Sequence, residues 1–284
     1  MDKHYLTPLF APQTVAVFAG RDEDEGLQHP QAKALHEALR AQRFTGRLVF
    51  LDIHTSGTLA DLAQSRADLA IIALPHEDIR TALEVAGRMG CRSVMVISSG
   101  IGVDLAAQLR EIAENEGMFL LGPNCMGLQR PALQLNASMA GPLARAGSLA
   151  LVSQSGALTA SILDWARNNA VGFSSVVSVG PNTAVDIAQV LDFLATDPQT
   201  HSIVVYLEGI SNSRRFMSAL RAAANAKPVV VLKAGRKTAG NKAARSFYER
   251  LGAELVVGHR APPGAARGAR PGVGLDRRPP GASV

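Results

Sequence analysis

Apolar runs of strand length alternate along this chain with stretches whose apolar residues recur at helical spacing, the pattern of stacked βα units. The first series of predicted strands is Thr14–Ala19, Leu48–Leu51, Leu69–Leu74, Ser93–Ser98 and Met118–Leu121. These runs are continuous and do not alternate, which predicts parallel strands covered on both faces. Between them, Pro30–Gln42 opens on a proline and sets Ala34, Leu35, Ala38 and Leu39 on one stripe. Val103–Glu116 gathers Leu105, Leu109, Ile112 and Ala113, and Gly117 stops it.

A second series starts near Gly147. Its predicted strands are Ser148–Ser153, Phe173–Val179, Ser202–Leu207 and Pro228–Lys233, and its predicted helices are Ala157–Asn168, Val185–Ala195 and Ser213–Ala226. Gln129–Ala146, with Pro131, Gly141 and Pro142, reads as a connector. The expected fold is therefore α/β, with two doubly wound parallel-sheet units. Residues 260–284 break the pattern: five prolines, five glycines and five arginines leave almost no aliphatic periodicity. Such a segment buries too little apolar surface to offset its ordering entropy, so disorder is expected there.

Charge separates in the same way. The chain carries +5. Five arginines and one aspartate give residues 260–284 a net +4, so the preceding 259 residues carry +1. The basicity belongs to the tail, without a basic stripe or aromatic platform, and a nucleic-acid partner is not expected. No stretch approaches the roughly 20 apolar residues of a membrane helix, and the first residues do not read as a secretion signal. Cys91 and Cys125 fit no ligand spacing. No metal site is expected, and a reducing cytoplasm is the economical setting.

The passage richest in chemistry is Ser148-Leu-Ala-Leu-Val-Ser-Gln-Ser-Gly-Ala-Leu. A buried strand ends at Ser153 and a helix begins within three residues. There the unpaired amides of the first helical turn converge, and the helix dipole favours an anion by about 0.3–1 kcal/mol. Ser153, Gln154, Ser155 and Gly156 are the candidate cradle, with the two hydroxyls as donors and glycine allowing close approach. A plain serine N-cap has the same local sequence.

Other motifs stand around it in order: Gly122-Pro-Asn-Cys-Met-Gly-Leu, Asn136-Ala-Ser, Ile162-Leu-Asp-Trp-Ala, Tyr206-Leu-Glu-Gly-Ile, Arg214-Arg-Phe and Lys227-Pro-Val-Val-Val-Leu-Lys-Ala-Gly-Arg. From about Leu6 to Ser246 the series resembles the NDP-forming acyl-CoA synthetases, relatives of the succinyl-CoA synthetase α subunit. It also resembles the synthetase-like part of bacterial protein acetyltransferases fused to a GNAT domain. The resemblance implies a Rossmann-like CoA-binding domain over 1–128, a connector over 129–146, a flavodoxin-type succinyl-CoA-synthetase-like domain over 147–246 and a divergent tail over 247–284. It implies a ligase reaction passing through an acyl phosphate, with a histidine relaying phosphate to a nucleotide held by an ATP-grasp partner domain or subunit. Carried onto this chain, Ser153, Gln154, Ser155 and Gly156 would cradle phosphate. Glu208 would orient the phosphorylated histidine as a catalytic residue. Ala19, Gly20, Leu74, Pro75, Ser99, Gly100, Asn124 and Cys125 would line coenzyme A at the carboxyl ends of strands. For these the plain alternatives are a solvated strand-end glutamate, ordinary turns and a small buried cysteine.

The chain departs from the family pattern in four places. Arg21-Asp-Glu-Asp-Glu-Gly26 follows the first strand where a glycine-rich loop is expected, and carboxylates beside a pyrophosphate cost about 1–4 kcal/mol per pair at 4 Å. His54 stands near the position of a lysine after the second strand. Gly180-Pro-Asn-Thr-Ala184 replaces a Gly-Asn-x-Ala-Asp segment. No histidine follows Ser246 in the matching motif, since Phe247 comes next and His259 lies outside it. His4, His29, His36, His76 and His201 read as surface or turn residues. The abrupt end of the likeness at Ser246 suggests a reading-frame change or truncation. The expected function is the CoA-binding, alpha-type portion of such a synthetase, incomplete alone and active as a ligase only with an ATP-grasp partner. The alternatives are a CoA- or acyl-CoA-sensing module of a lysine acetyltransferase, and a piece with no activity of its own.

Overall fold

The apolar runs assemble into two sheets in the computed structural model, which describes residues 4–20, 30–53, 66–180 and 184–234. Residues 1–242 form one compact unit; the second, Ala243–Val284, lies outside the described residues. So do the acidic loop, His29, His54, Pro181, Ser246, His259 and the arginine-rich tail.

The first sheet contains β1 (Thr14–Phe18), β2 (Arg47–Leu51), β3 (Leu69–Ile72), β4 (Ser93–Val96) and β5 (Phe119–Leu121), all parallel, in the order β2-β1-β3-β4-β5. Helices α1 (Thr7–Phe10), α2 (Pro30–Arg40), α3 (His76–Arg88) and α4 (Val103–Asn115) accompany it. Ile72, Ile79, Leu83, Val96, Leu109 and Leu120 share its core. The chain reverses its direction across the sheet between β1 and β3, which makes that junction the topological switch point. Helix α3 is absent from the predicted elements, although Ile79, Ala82, Leu83 and Ala86 recur at helical spacing and Glu77 and Asp78 lie in its first turn.

The second sheet has the order β11-β10-β8-β9-β6-β7. Its strands β8 (Ala146–Ser153), β9 (Phe173–Ser178), β10 (Ser202–Leu207) and β11 (Val229–Lys233) are parallel, and its switch point lies between β8 and β10. Helix α5 (Gly156–Asn168) covers Leu151 and Val176, while α6 (Ile187–Thr196) packs against α7 (Ser213–Ala226). Right-handed crossovers that step in opposite directions from β8 put α5 on one face and α6 with α7 on the other.

The segment expected as a connector belongs largely to this sheet. β6 (Gly127–Arg130) pairs antiparallel with β9, and β7 (Leu135–Ser138) pairs with β6. Pro131 starts the short 3-10 turn between them, so proline marks a hairpin here and not a linker. Gln129 has no exposed surface and its amide holds Gly141, Pro142 and Ala144, which folds the rest of the segment over the sheet.

β6 also supplies a buried ion pair. Arg130 donates to Asp197 at 2.9 Å, with both side chains almost inaccessible (3% and 4% exposed). Ser175 and Gln199 take further guanidinium hydrogens, and Thr200 donates to the same carboxylate. Phe10 of α1 stacks on Phe193 of α6 at 4.1 Å, and the Arg130 guanidinium lies over both rings. These contacts, with the Val185 amide donating to the Leu120 carbonyl at 2.8 Å, join the two sheets.

Candidate functional site

Every candidate residue lies at or just beyond the carboxyl end of a strand, and one segment brings the two sets of ends together. After β5 the chain turns through Gly122 and a cis Gly122–Pro123 bond and enters β6 at Gly127. Gly122 has φ +88°, and a Cβ there would sit 2.2 Å from the Val96 carbonyl oxygen, so only glycine fits. Asn124, at φ 58°, accepts the Ile101 amide hydrogen at 3.0 Å and donates to the Ile101 carbonyl at 2.8 Å. Two residues later the Met126 amide donates to the Ser178 hydroxyl at the end of β9. Gly127 pairs with Ser178 in the ladder. The carboxyl edge of β5 in one sheet therefore abuts the carboxyl edge of β9 in the other.

On the first sheet, Ala19 and Gly20 end β1, and Leu74 and Pro75 lead from β3 into α3, on either side of the switch point. The Ser98 hydroxyl donates to the Leu74 carbonyl and accepts the Leu74 amide hydrogen, tying the ends of β3 and β4. Gln31, from the first turn of α2, donates to the Ser99 hydroxyl at 2.8 Å and accepts the Ser99 amide hydrogen at 3.2 Å. His76 donates to the Ser99 carbonyl. Gly100 has φ +77°, and a Cβ on it would meet nothing closer than the His76 ring at 3.8 Å, so its backbone is open along this edge. Asn124 is spent on Ile101. Cys125 is buried against the Val96 carbonyl, and desolvation pushes its thiol up to about 12. These two candidates shape the wall of the edge; their polar atoms do not point into it.

His36 departs from the surface reading. It is 4% exposed on α2, rests on Phe50 and donates through Nε2 to the Gly20 carbonyl at 3.2 Å. Burial lowers its pKa, against the opposing pull of the Gly20 and Ala19 carbonyls, so the ring is held neutral.

On the second sheet the cradle residues divide the work differently from the expectation. Ser153 is fully buried; its hydroxyl donates to the Ser155 carbonyl and accepts the Ser155 amide hydrogen. It closes the turn and is not a donor to a ligand. Ser155 is the N-cap of α5, accepting from Leu158 at 3.4 Å, so the plain cap reading holds for that oxygen. Gly156 is required by packing: a Cβ there would lie 2.5 Å from Met126 Cγ. A large side chain at 156 therefore cannot be neutral to the fold. What remains for an anion is the first turn itself. Among the described residues the amides of Gly156 and Ala157 have no hydrogen-bond partner, and Ala157 is exposed.

Gln154 reaches across the switch point. Its Oε1 accepts the amide hydrogens of Glu208 at 2.6 Å and Gly209 at 3.0 Å, and its own main-chain amide donates to the Tyr206 carbonyl. Lys233, at the end of β11, donates to the Glu208 carbonyl. The Glu208 backbone is held at both its amide and its carbonyl, and the residue is exposed. A shallow cleft of about 40 Å³ opens alongside, lined by Gln154, Gly209, Asn212 and the first residues of α6. The N-termini of α6 and α7, capped by Asp186 and Asn212, open on the same cleft. Lys233, Met126 and Gln31 were not singled out from the sequence; the first two lie inside motifs that were.

Among the described residues no cluster of three or more His, Cys, Asp or Glu is arranged to hold a metal, and no helix is long and apolar enough to cross a membrane.

Residues 49–131 match the CoA binding domain model, and residues 146–258 match the succinyl-CoA ligase like flavodoxin domain model. The second match runs past Ser246. The chain is 39% identical over 254 residues to the acetate–CoA ligase (ADP-forming) I subunit alpha of Pyrococcus furiosus, covering 85% of this chain and 55% of that protein. It is 40% identical over 185 residues to acetate–CoA ligase (ADP-forming) I of Archaeoglobus fulgidus, covering 63% of this chain and 27% of that one. The dinucleotide-forming acetyl-coenzyme A synthetase 1 of Ca. Korarchaeum cryptofilum superposes with a TM-score of 0.75 in its apo form, at 28% identity over 87% of this chain and 58% of that one. The same synthetase in complex with phosphate and ADP superposes with a TM-score of 0.73. The chain thus spans between about a quarter and somewhat over half of these relatives.

Proposed function

Because the chain belongs to the NDP-forming acyl-CoA synthetase family, we propose that it is the CoA-binding, alpha-type part of an acid–thiol ligase. In this reading coenzyme A is a substrate laid along the carboxyl edge of the first sheet. Inorganic phosphate is held at the first turn of α5. The observation that carries the proposal is the Gly122–Gly127 segment, which sets those two edges against each other through Asn124 on one side and Met126 on the other.

The chain's own groups suit these tasks. Gly20 and Gly100 take positive φ and put bare backbone along the CoA edge. Ala19, Leu74 and Pro75 give it an apolar floor at the switch point. The unpaired amides of Gly156 and Ala157 meet the phosphate oxygens with the dipole of α5 behind them. When a phosphate oxygen attacks the carbonyl carbon of an acyl-CoA thioester, the C–S bond breaks, the thiolate leaves and takes a proton, and an acyl phosphate remains. In the opposite direction the thiolate attacks the acyl phosphate and phosphate leaves. The chemistry that regenerates a nucleoside triphosphate needs an ATP-grasp partner, and Glu208 would orient the imidazole that carries phosphate to it. No matching histidine follows Ser246, so the exchange of acyl-CoA with phosphate is the step on which this chain is tested. Buried, unpaired Cys91 and Cys125 suit a cytoplasmic setting.

Purified chain, acetyl-CoA and inorganic phosphate test this with a thiol-reactive dye. Phosphate-dependent release of CoA thiol is expected. CoA binding by calorimetry is expected to strengthen several-fold when Asp22, Glu23, Asp24 and Glu25 are changed to serine, since four negative charges that would oppose an anionic ligand are removed. No CoA binding in either protein would end the proposal.

A further inference from the structure

We infer that Gln154 is a positioning residue: its side-chain oxygen fastens the Glu208–Gly209 turn beside the cradle. The inference rests on the reading of the β8–α5 turn as a phosphate site and adds to it a residue through which that site is aligned.

The side-chain oxygen of Gln154 accepts two backbone hydrogens, from Glu208 at 2.6 Å and from Gly209 at 3.0 Å. A carbonyl oxygen has two lone pairs, so its acceptor capacity is filled. Because both neighbours are N–H donors, the orientation of the amide is settled by its contacts. The main-chain amide of Gln154 donates to the Tyr206 carbonyl at 3.2 Å, which extends the β8–β10 pairing by one step beyond Ser153↔Tyr206. From the far side, the Lys233 ammonium reaches the Glu208 carbonyl at 2.5 Å. Side chains from the ends of β8 and β11 thus hold one residue's backbone from both sides. The donors of Glu208 and Gly209 are consumed in doing so, which leaves the amides of Gly156 and Ala157 as the unpaired donors of the β8–α5 turn. The Glu208 carboxylate is carried on a backbone that has little freedom to turn.

A direct ligand and a positioning residue differ in a double-mutant cycle. The proteins are the full chain, Gln154→Leu, Glu208→Ala and the double variant, and the probe is inorganic phosphate followed by calorimetry. Gln154→Leu keeps size and charge but offers no acceptor. It is expected to speed hydrogen exchange of the Glu208 and Gly209 amides by at least tenfold and to weaken phosphate binding about tenfold. Gln154→Glu, which retains acceptors on the same stem, is expected to restore the protection of both amides. Glu208→Ala keeps both backbone amides, so in that background the leucine substitution is expected to speed their exchange by a similar factor. A tenfold loss of phosphate affinity in Gln154→Leu without faster exchange of the two amides would overturn the inference in favour of direct contact. Faster exchange with unchanged phosphate affinity would overturn it in favour of a structural bond only. A flat titration with the parent chain would remove the phosphate reading itself, and the inference with it.

Discussion

Single residues in this protein are constrained by what they touch as much as by any ligand. Gly156 is the clearest case. The sequence suggests glycine for the approach of a phosphate, yet the space a Cβ would fill is taken by Met126 Cγ at 2.5 Å. Gly156→Ala is expected to destabilise the fold by about 1–3 kcal/mol through overpacking, offset in part by the ~1 kcal/mol alanine gains over glycine in a helix. Urea unfolding of Gly156→Ala and of Met126→Ala/Gly156→Ala measures this, the second variant recovering most of the loss. The cysteines give a second residue-level test. Desolvation raises the Cys91 and Cys125 thiols to about 12 from an ordinary 9.0. At pH 8 neither carries appreciable thiolate, so a disulfide reagent is expected to label them only after unfolding. Since the folded values lie above the unfolded ones, their protonated forms stabilise the fold below pH 9, and that stabilisation is lost as pH rises from 9 toward 12. Rapid labelling of native protein at pH 8 would contradict this.

At the scale of elements, continuous apolar strands were legible because both faces of β1, β3 and β4 are covered, and their runs are dominated by apolar residues. The β6–β7 hairpin was not, because Gln129, Arg130 and Asn136 bury polar side chains that hold neighbouring backbone and carboxylate, and the segment then reads as a polar, proline-bearing linker. Arg130 makes the hairpin depend on a counter-charge. Burial alone would raise the Asp197 pKa, but hydrogen bonding and charge from Arg130, with Thr200 and the Gln199 amide, hold its carboxyl below the ordinary 3.8. A depressed carboxyl stabilises the fold above its unfolded value and loses that contribution as pH falls through the folded one. Asp197→Ala leaves Arg130 buried without its counter-charge and is expected to cost about 3–5 kcal/mol. Chemical unfolding at pH 7 against pH 3 checks both, with the parent-to-variant difference shrinking in acid. An unchanged unfolding midpoint for Asp197→Ala at neutral pH would show the pair to be dispensable.

For the whole molecule, the arrangement of two α/β units was visible in the sequence, and so was the carboxyl-edge placement of every candidate residue. The assignment of atoms within the site was not. Ser153, Ser155 and Gln154 share one motif, but their oxygens are committed to the turn, to the helix cap and to the neighbouring strand end. The Gln154 bonds depend on β10 lying beside β8, which is a crossover the linear order does not display. The joining of the two edges at Gly122–Gly127 follows from the same topology. On the proposed function it makes the unpaired α5 amides the groups on which a phosphate would converge.

Ala157→Glu tests that convergence most directly. A carboxylate in the first turn favours the helix by about 0.3–1 kcal/mol and repels an anion from the same amides. Calorimetric titration with inorganic phosphate is expected to show binding by the parent chain and at least a tenfold loss in Ala157→Glu, whose thermal midpoint is equal or higher. Equal phosphate affinity in the two proteins would contradict the account.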